Sequence, residues 1–325
     1  MILAGDIGGT KCTLALFEMR GVGTLRPRQV EMQRFPSRDH GHLEDIVEEF
    51  TKSYRGKIRA AGFGVAGPVI GDHVRATNLP WLVDGKSLAH LLGIPRTALL
   101  NDLEATGHGL AWLEPHEAIT LNQGEEAPQA NQALIAAGTG LGEAILFFRG
   151  GRRWVAGTEG GHSDFAPRTE EEIELLRFAK QRFASVSWEN MLSGSAFQLI
   201  HEFLAPGLRH PSFDDETMDS AKEISQFADS GQCAVCAKAQ QMWVALYGAE
   251  AGNLALKSLA RGGVFVAGGI AVKLQDEMSS GKFVEAFCRK SRYHDLLAAI
   301  PIYLVLNEET PVLGAAAVAA EQATA

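Results

Sequence analysis

Asp6, Gly8, Gly9, Thr10 and Lys11 fall together in Ile2-Leu3-Ala4-Gly5-Asp6-Ile7-Gly8-Gly9-Thr10-Lys11-Cys12. Glycines at a tight turn let the backbone take positive φ and approach a ligand closely. Several N–H groups then point into one concavity, which suits a phosphate. Thr10 adds a hydroxyl, and Asp6, at a strand end, suits a hydrated Mg²⁺. A second turn of the same kind, Gly138-Thr139-Gly140, follows Ala133-Leu134-Ile135-Ala136-Ala137. One such turn is explained by hairpin geometry alone. Two facing each other would grip a polyphosphate from both sides. Neither is a Walker loop, because no G-x-x-x-x-G-K-[ST] occurs.

A phosphoryl acceptor needs a base for its hydroxyl proton. Asp102, following Asn101 at the end of the apolar run Thr97-Ala98-Leu99-Leu100, occupies the carboxyl end of a strand, where α/β folds keep their chemistry. Its plainer reading is a helix N-cap, and the two roles are compatible. Glu159 and His162, on the glycine loop Gly157-Thr158-Glu159-Gly160-Gly161-His162, offer an acceptor and a donor for hydroxyl groups, and Glu159 reads as buried. Glu189, after Ser187-Trp188, is a first-turn charge favoured by the helix dipole. Gly268-Gly269, closing Val264-Phe265-Val266-Ala267, would let an adenine or ribose lie flat on backbone, or simply admit a helix. Cys233-Ala234-Val235-Cys236 is a lone C-x-x-C in a helical pattern and reads as structural thiols rather than zinc or redox chemistry. Gly62-Phe63-Gly64-Val65-Ala66-Gly67 matches G-x-G-x-x-G, but Pro68 stands where a helix should open, so it is no dinucleotide site.

These residues require strands to present them. Alternation over Cys12–Phe17 predicts a hairpin with Ile2–Ile7. Further strands are expected at Arg28–Phe35, Ile58–Pro68, Thr97–Leu100, on both sides of Gly138, and at Pro301–Leu306. Helices are expected at 43–50, 88–92, 103–112, from a capping box at Thr169 to Phe183, at 242–259 and at 312–323. Residues 21–24 and Asn78–Trp81 read as loops, with Trp81 a packing residue, and 205–219 as a surface excursion. At 325 residues the chain calls for two α/β lobes, 1–111 with 304–325 and 112–303. A net charge of −9, with no basic cluster, disfavours nucleic acid. No secretion signal or membrane-length apolar run appears, and four cysteines are too few for a disulfide scaffold, so a cytoplasmic protein is expected.

The paired turns resemble the phosphate motifs of the superfamily of actin, the sugar kinases and the heat-shock ATPases. In order and spacing, GDIGGTKCTLAL, NDLEA, AAGTGLGEA, GTEGGHSDFAP, SWENMLSG and GGVFVAGGI resemble bacterial ATP-dependent glucokinases of the hexokinase type over essentially the whole chain. The resemblance implies a two-lobed, ribonuclease H-like α/β fold with a cleft, ATP and Mg²⁺ as cofactors, and glucose as substrate. ATP phosphates would meet Gly8, Gly9, Thr10 and Gly138-Thr139-Gly140. Glucose would meet Asn101, Asp102, Glu159, His162 and Glu189, with Asp102 as base. A homodimer is also implied. Relatives often carry Asn where Lys11 stands. The other bacterial group, which shares its fold with sugar-responsive repressors, has a cysteine-rich zinc segment after the His; here Ser163-Asp164-Phe165-Ala166-Pro167 stands instead. A kinase for another hexose and a sugar sensor without catalysis are the alternatives.

Overall fold

The computed structural model describes residues 1–18, 26–77, 79–215 and 218–324, so the expected loop at 21–24 and the role of Asn78 lie outside the described residues. The chain divides into two compact units, Met1–Pro115 with Asn307–Ala325, and His116–Leu306.

In the first unit, Ile2–Ile7 and Lys11–Glu18 form the expected hairpin, paired from Ile2↔Phe17 to Ile7↔Cys12. Arg28–Pro36 adds to its outer edge antiparallel, while Ala60–Val65 and then Thr97–Asn101 add in parallel on the other side. The alternation of the second strand separates two cores. Cys12, Leu14 and Leu16 pack with Ile46, Val47 and Leu88, whereas Ala15 and Phe17 pack with Val312 and Ala316. Burial on both faces is why this strand reads as a nearly continuous apolar run. Trp81 is buried in the first of these cores, as a packing residue.

The glycines of Gly62-Phe63-Gly64 have a structural reason. A Cβ on Gly62 would overlap the carbonyl of Ala315, and one on Gly64 would lie 2.7 Å from Ala105 Cβ. They let the helices Thr310–Thr324 and Asp102–Gly109 lie close against the Ala60–Val65 strand. These two helices in turn cross through paired glycines, since a Cβ on Gly109 would overlap Thr310 O and one on Gly314 would overlap Ala105 O.

The second unit repeats the pattern. Gln132–Ala137 and Leu141–Arg149 form a hairpin, Arg152–Thr158 extends it antiparallel, and Val264–Ala267 and Ile302–Val305 continue it in parallel. An antiparallel edge strand, Ala118–Asn122, completes this sheet. One large core lies beneath, centred on Trp188, Phe197, Trp243, Tyr247 and Phe283. The helix Ala234–Ser258 begins eight residues earlier than the apolar pattern alone indicates, and Cys233 caps its N-terminus. The helix after Thr169 ends at Ala179 rather than Phe183. Its capping box is half made: Thr169 accepts the Glu172 N–H, but Glu172 itself turns to the N–H and guanidinium of Arg168.

The Gly109/Gly314 crossing gives a test in which two effects oppose. Ala is the better helix former by about 1 kcal/mol, whereas overpacking costs about 1–3 kcal/mol. With backbone on the receiving side of the overlap, Gly314→Ala is expected to lower stability, read as a reduced urea midpoint; an unchanged or raised midpoint would show that the helices separate freely.

Candidate functional site

In the first unit the phosphate turn is held from behind. Gly8 N–H donates to Lys11 O at 3.1 Å, Ser37 N–H donates to Thr10 O at 3.1 Å, and Ser37 Oγ donates to Gly8 O at 2.7 Å. Ser37 is fully buried and was not expected from sequence, since its brace comes from 29 residues away. Neither Gly8 nor Gly9 has a positive φ, which corrects the expectation for this turn. The absence of Cβ serves close approach there, not a left-handed backbone. Thr10 is exposed, and Lys11 pairs with Glu308 at 3.8 Å in an exposed contact, which contributes little.

Asp6 ends the first strand, and Asp102 opens the helix Asp102–Gly109. Asn101, not Asp102, is the N-cap: its Oδ1 accepts the N–H groups of Leu103 at 3.0 Å and Glu104 at 3.4 Å. Its Nδ2 donates to Gly67 O at 3.2 Å, leaving one amide hydrogen for a ligand. Asp102 Oδ1 also accepts the Leu103 N–H, at 3.0 Å, so the two residues share this end of the helix. Burial pushes the Asp6 carboxyl up to about 7, the charge of Asp102 pushes the same way, and Lys11 opposes both. A carboxyl raised by burial and by a neighbouring carboxylate is one that a divalent cation would relieve.

In the second unit the structure brings together four of the expected positions. Glu189 Oε2 accepts the N–H of Leu141 at 3.0 Å, directly beside the Gly138-Thr139-Gly140 turn. A Cβ on Gly140 would lie 2.5 Å from that oxygen, so the glycine is required for the contact. His162 Nδ1 lies 3.8 Å from Glu189 Oε1, and His162 Nε2 lies 3.8 Å from Glu159 Oε2. Glu159 is 69% exposed, which corrects the expectation that it is buried. It sits on the tip of the loop, where it is open to a ligand. Glu189 does occupy the first turn of Trp188–Leu192, but its carboxylate is directed to the hairpin.

Two supports of this site were not anticipated. Tyr247 Oη accepts the N–H of Ala137 at 3.1 Å and lies 3.2 Å from the carbonyls of Ile135 and Ala267, so it braces the phosphate turn from the core. Glu143 is fully buried under Gly160, whose Cβ would overlap its carboxylate; burial, with Glu250 alongside, pushes Glu143 up to about 8. A lone acid in the apolar run Leu141–Phe148 was the available signal. Gly268 has φ +96°, and a Cβ there would overlap Ala137 O, so its first role is packing. Gly138 and Gly269 face open space.

The fold is that of the actin-like sugar kinases. The crystal structure of glucokinase from an Antarctic psychrotroph matches with a TM-score of 0.87, at 28% identity and covering 98% of each chain. That of glucokinase from Balamuthia mandrillaris, in complex with glucose, matches with a TM-score of 0.79 at 22% identity, covering 98% of this chain and 93% of that one. The sequence pattern of the glucokinase family matches residues 3–322. A glucokinase from Nostoc sp. is 36% identical, over 98% of this chain and 99% of its own. The chain belongs to the glucokinase family. Among the described residues, no helix is long and apolar enough to cross a membrane.

The Asp6 environment predicts a pH-dependent stability. Its carboxyl titrates near 7 in the fold against an ordinary value of about 4, so the fold holds the proton more tightly and loses stability as pH rises between them. Asp6→Asn is therefore expected to raise Tm in metal-free buffer at pH 8. The gain should shrink as pH falls from 7 towards 4, as read by calorimetry; a gain that is constant with pH would refute the assignment.

Proposed function

We propose that the chain transfers the γ-phosphoryl group of ATP to the 6-hydroxyl of glucose, with Asp102 as general base. The observation that carries this reading is the junction at Leu141. A turn suited to phosphate and an acid suited to sugar hydroxyls share one hydrogen bond there, so a nucleotide turn and a sugar loop are built as one piece. Glu159, His162 and Glu189 hold the sugar by accepting from and donating to its hydroxyls, and the remaining amide hydrogen of Asn101 adds a donor. The N–H groups of the Gly8-Gly9-Thr10 and Gly138-Thr139-Gly140 turns hold phosphate oxygens. Gly269, facing open space, offers backbone to the nucleoside.

Asp6 would hold Mg²⁺ through water, and the carboxylate chemistry at Asp6 fits a hard, hydrated cation. When bound, such an ion neutralises charge on the phosphate oxygens. Asp102 accepts the hydroxyl proton as the oxygen attacks. The four cysteines are free, which supports a reducing, cytoplasmic setting. A homodimer rests on the family resemblance.

Asp102→Asn is expected to lower kcat on the order of a hundredfold or more with little change in glucose affinity. A coupled ADP-release assay with glucose titration checks it; near-normal turnover would remove Asp102 from that role, and glucose binding with no ADP release from the unaltered chain would favour a sensor. Gly138→Ala separates phosphate contact from fold. No protein atom lies within 4 Å of the added methyl group and the backbone has no positive φ, so Tm should not change. KM for ATP is expected to rise about tenfold, equivalent to about 1.4 kcal/mol. An unchanged KM would take the turn out of the nucleotide site.

A further inference from the structure

Within the second unit, four side chains that the kinase reading does not use converge on one point. His201 lies in the last turn of Gly194–Leu204, and His210 follows the Gly207 bend, where φ is +90°. Cys233 is the N-cap of Ala234–Ser258, and Cys236 is in its first turn. One ligating atom from each of the four lies within 4.8 Å of all the others. His210 Nε2 is 3.2 Å from His201 Nε2 and 3.2 Å from Cys236 Sγ. Cys233 Sγ accepts the N–H of Cys236 at 3.4 Å.

Hydrogen bonding alone satisfies this group poorly. A ring nitrogen has either one in-plane hydrogen or one in-plane lone pair, yet His210 Nε2 faces two partners at equal distance. His201 is 0% exposed, and its Nδ1 has no hydrogen-bond partner, so Nε2 is the only polar atom through which this buried ring is satisfied. A cation at the centre would take a lone pair from each of the four. Tetrahedral zinc, with Zn–N of about 2.0–2.1 Å and Zn–S of about 2.3 Å, separates its ligand atoms by roughly 3.3–3.8 Å. The two 3.2 Å spacings at His210 lie just below that range, and no pair of the four exceeds 4.8 Å, so a small inward shift of the widest pair would complete the tetrahedron. Two thiolates and two imidazoles select zinc over magnesium or calcium.

The shell fits a closed site. Phe213 packs edge-on against His201 and His210, with ring centroids 5.1 Å and 5.5 Å away, and Phe227 lies 4.6 Å from His210. Cys236 is buried and Cys233 half-buried. We propose that His201, His210, Cys233 and Cys236 form a structural zinc site, which ties the 205–219 excursion to the start of the long helix. Binding Zn²⁺ displaces the two thiol protons, and no redox change is involved. A site of this kind would replace the reading of Cys233 and Cys236 as structural thiols, and it is not the cysteine-rich segment that other glucokinases carry after the His.

The test uses the full chain, expressed with added zinc and purified without chelator or reductant. Inductively coupled plasma mass spectrometry should find about one zinc per chain, falling to background in the Cys233→Ser/Cys236→Ser double variant and in His210→Ala. Chelator-stripped protein titrated with Co²⁺ should show a thiolate-to-cobalt charge-transfer band and intense tetrahedral ligand-field bands, both lost in the double variant. The cobalt spectrum of the unaltered chain decides the matter even where the variants fail to fold. Zinc content no higher than background, with no charge-transfer band, would overturn the proposal. So would a Cys233–Cys236 disulfide in the unreduced protein by mass spectrometry. Glucose phosphorylation is a separate readout, so loss of the zinc site and loss of the kinase reading are distinguishable.

Discussion

The carboxylate of Glu189 accepts the N–H of Leu141 at 3.0 Å, and the approach is possible only because Gly140 carries no side chain. An amide at the base of a phosphate turn is thereby held by a residue that also faces His162, and through His162 reaches Glu159. The contact needs two supports. Tyr247 holds the hairpin from below by bonding Ala137, and Gly160 and Gly161 let the loop that carries Glu159 and His162 rest on Glu143 and on the Leu141 carbonyl without a Cβ between them. Preorganised donors and acceptors of this kind cost no rearrangement when charge develops on a bound phosphate.

The first unit meets a different constraint with the same architecture. Its hairpin turn is braced by Ser37 instead of by an acid, and the charge of Asp102 adds to burial in raising the proton affinity of Asp6. Such a pair lowers the stability of the free protein and is relieved by a bound cation, which is the trade between stability and activity expected at a working site. The N-cap at Asn101 matters here because it satisfies orphan N–H groups of the helix, those of Leu103 and Glu104, with Asp102 Oδ1 sharing the first of them.

Much of this was legible in the chain. The two hairpins, their turns, the strand leading to Asp102 and the C-terminal helix are all where alternation and glycine placement put them. The candidate site residues come from motif order rather than periodicity, and Glu189 illustrates the limit. Its position in a first turn is visible from sequence, but the direction of its carboxylate depends on a hairpin 48 residues away. Ser37, Tyr247 and Glu143 were missed for the same reason: their partners are non-local, and a serine, a tyrosine or a lone acid has no spacing signature of its own. The exposure of Glu159 was misjudged because neighbouring glycines look alike whether they bury a loop or lift it.

The sequence by itself determined the alternation of strands and helices, the repeated strand–turn–strand units and the presence of acids at strand ends, because backbone periodicity and the steric freedom of glycine act over a few residues. The tertiary structure alone decided where the carboxylate of Glu189 is directed, which glycines are needed for packing and which face open space, and that two histidines meet a C-x-x-C pair within 4.8 Å. Those outcomes depend on distances between residues far apart in the chain, and only the packing of the folded elements sets such distances.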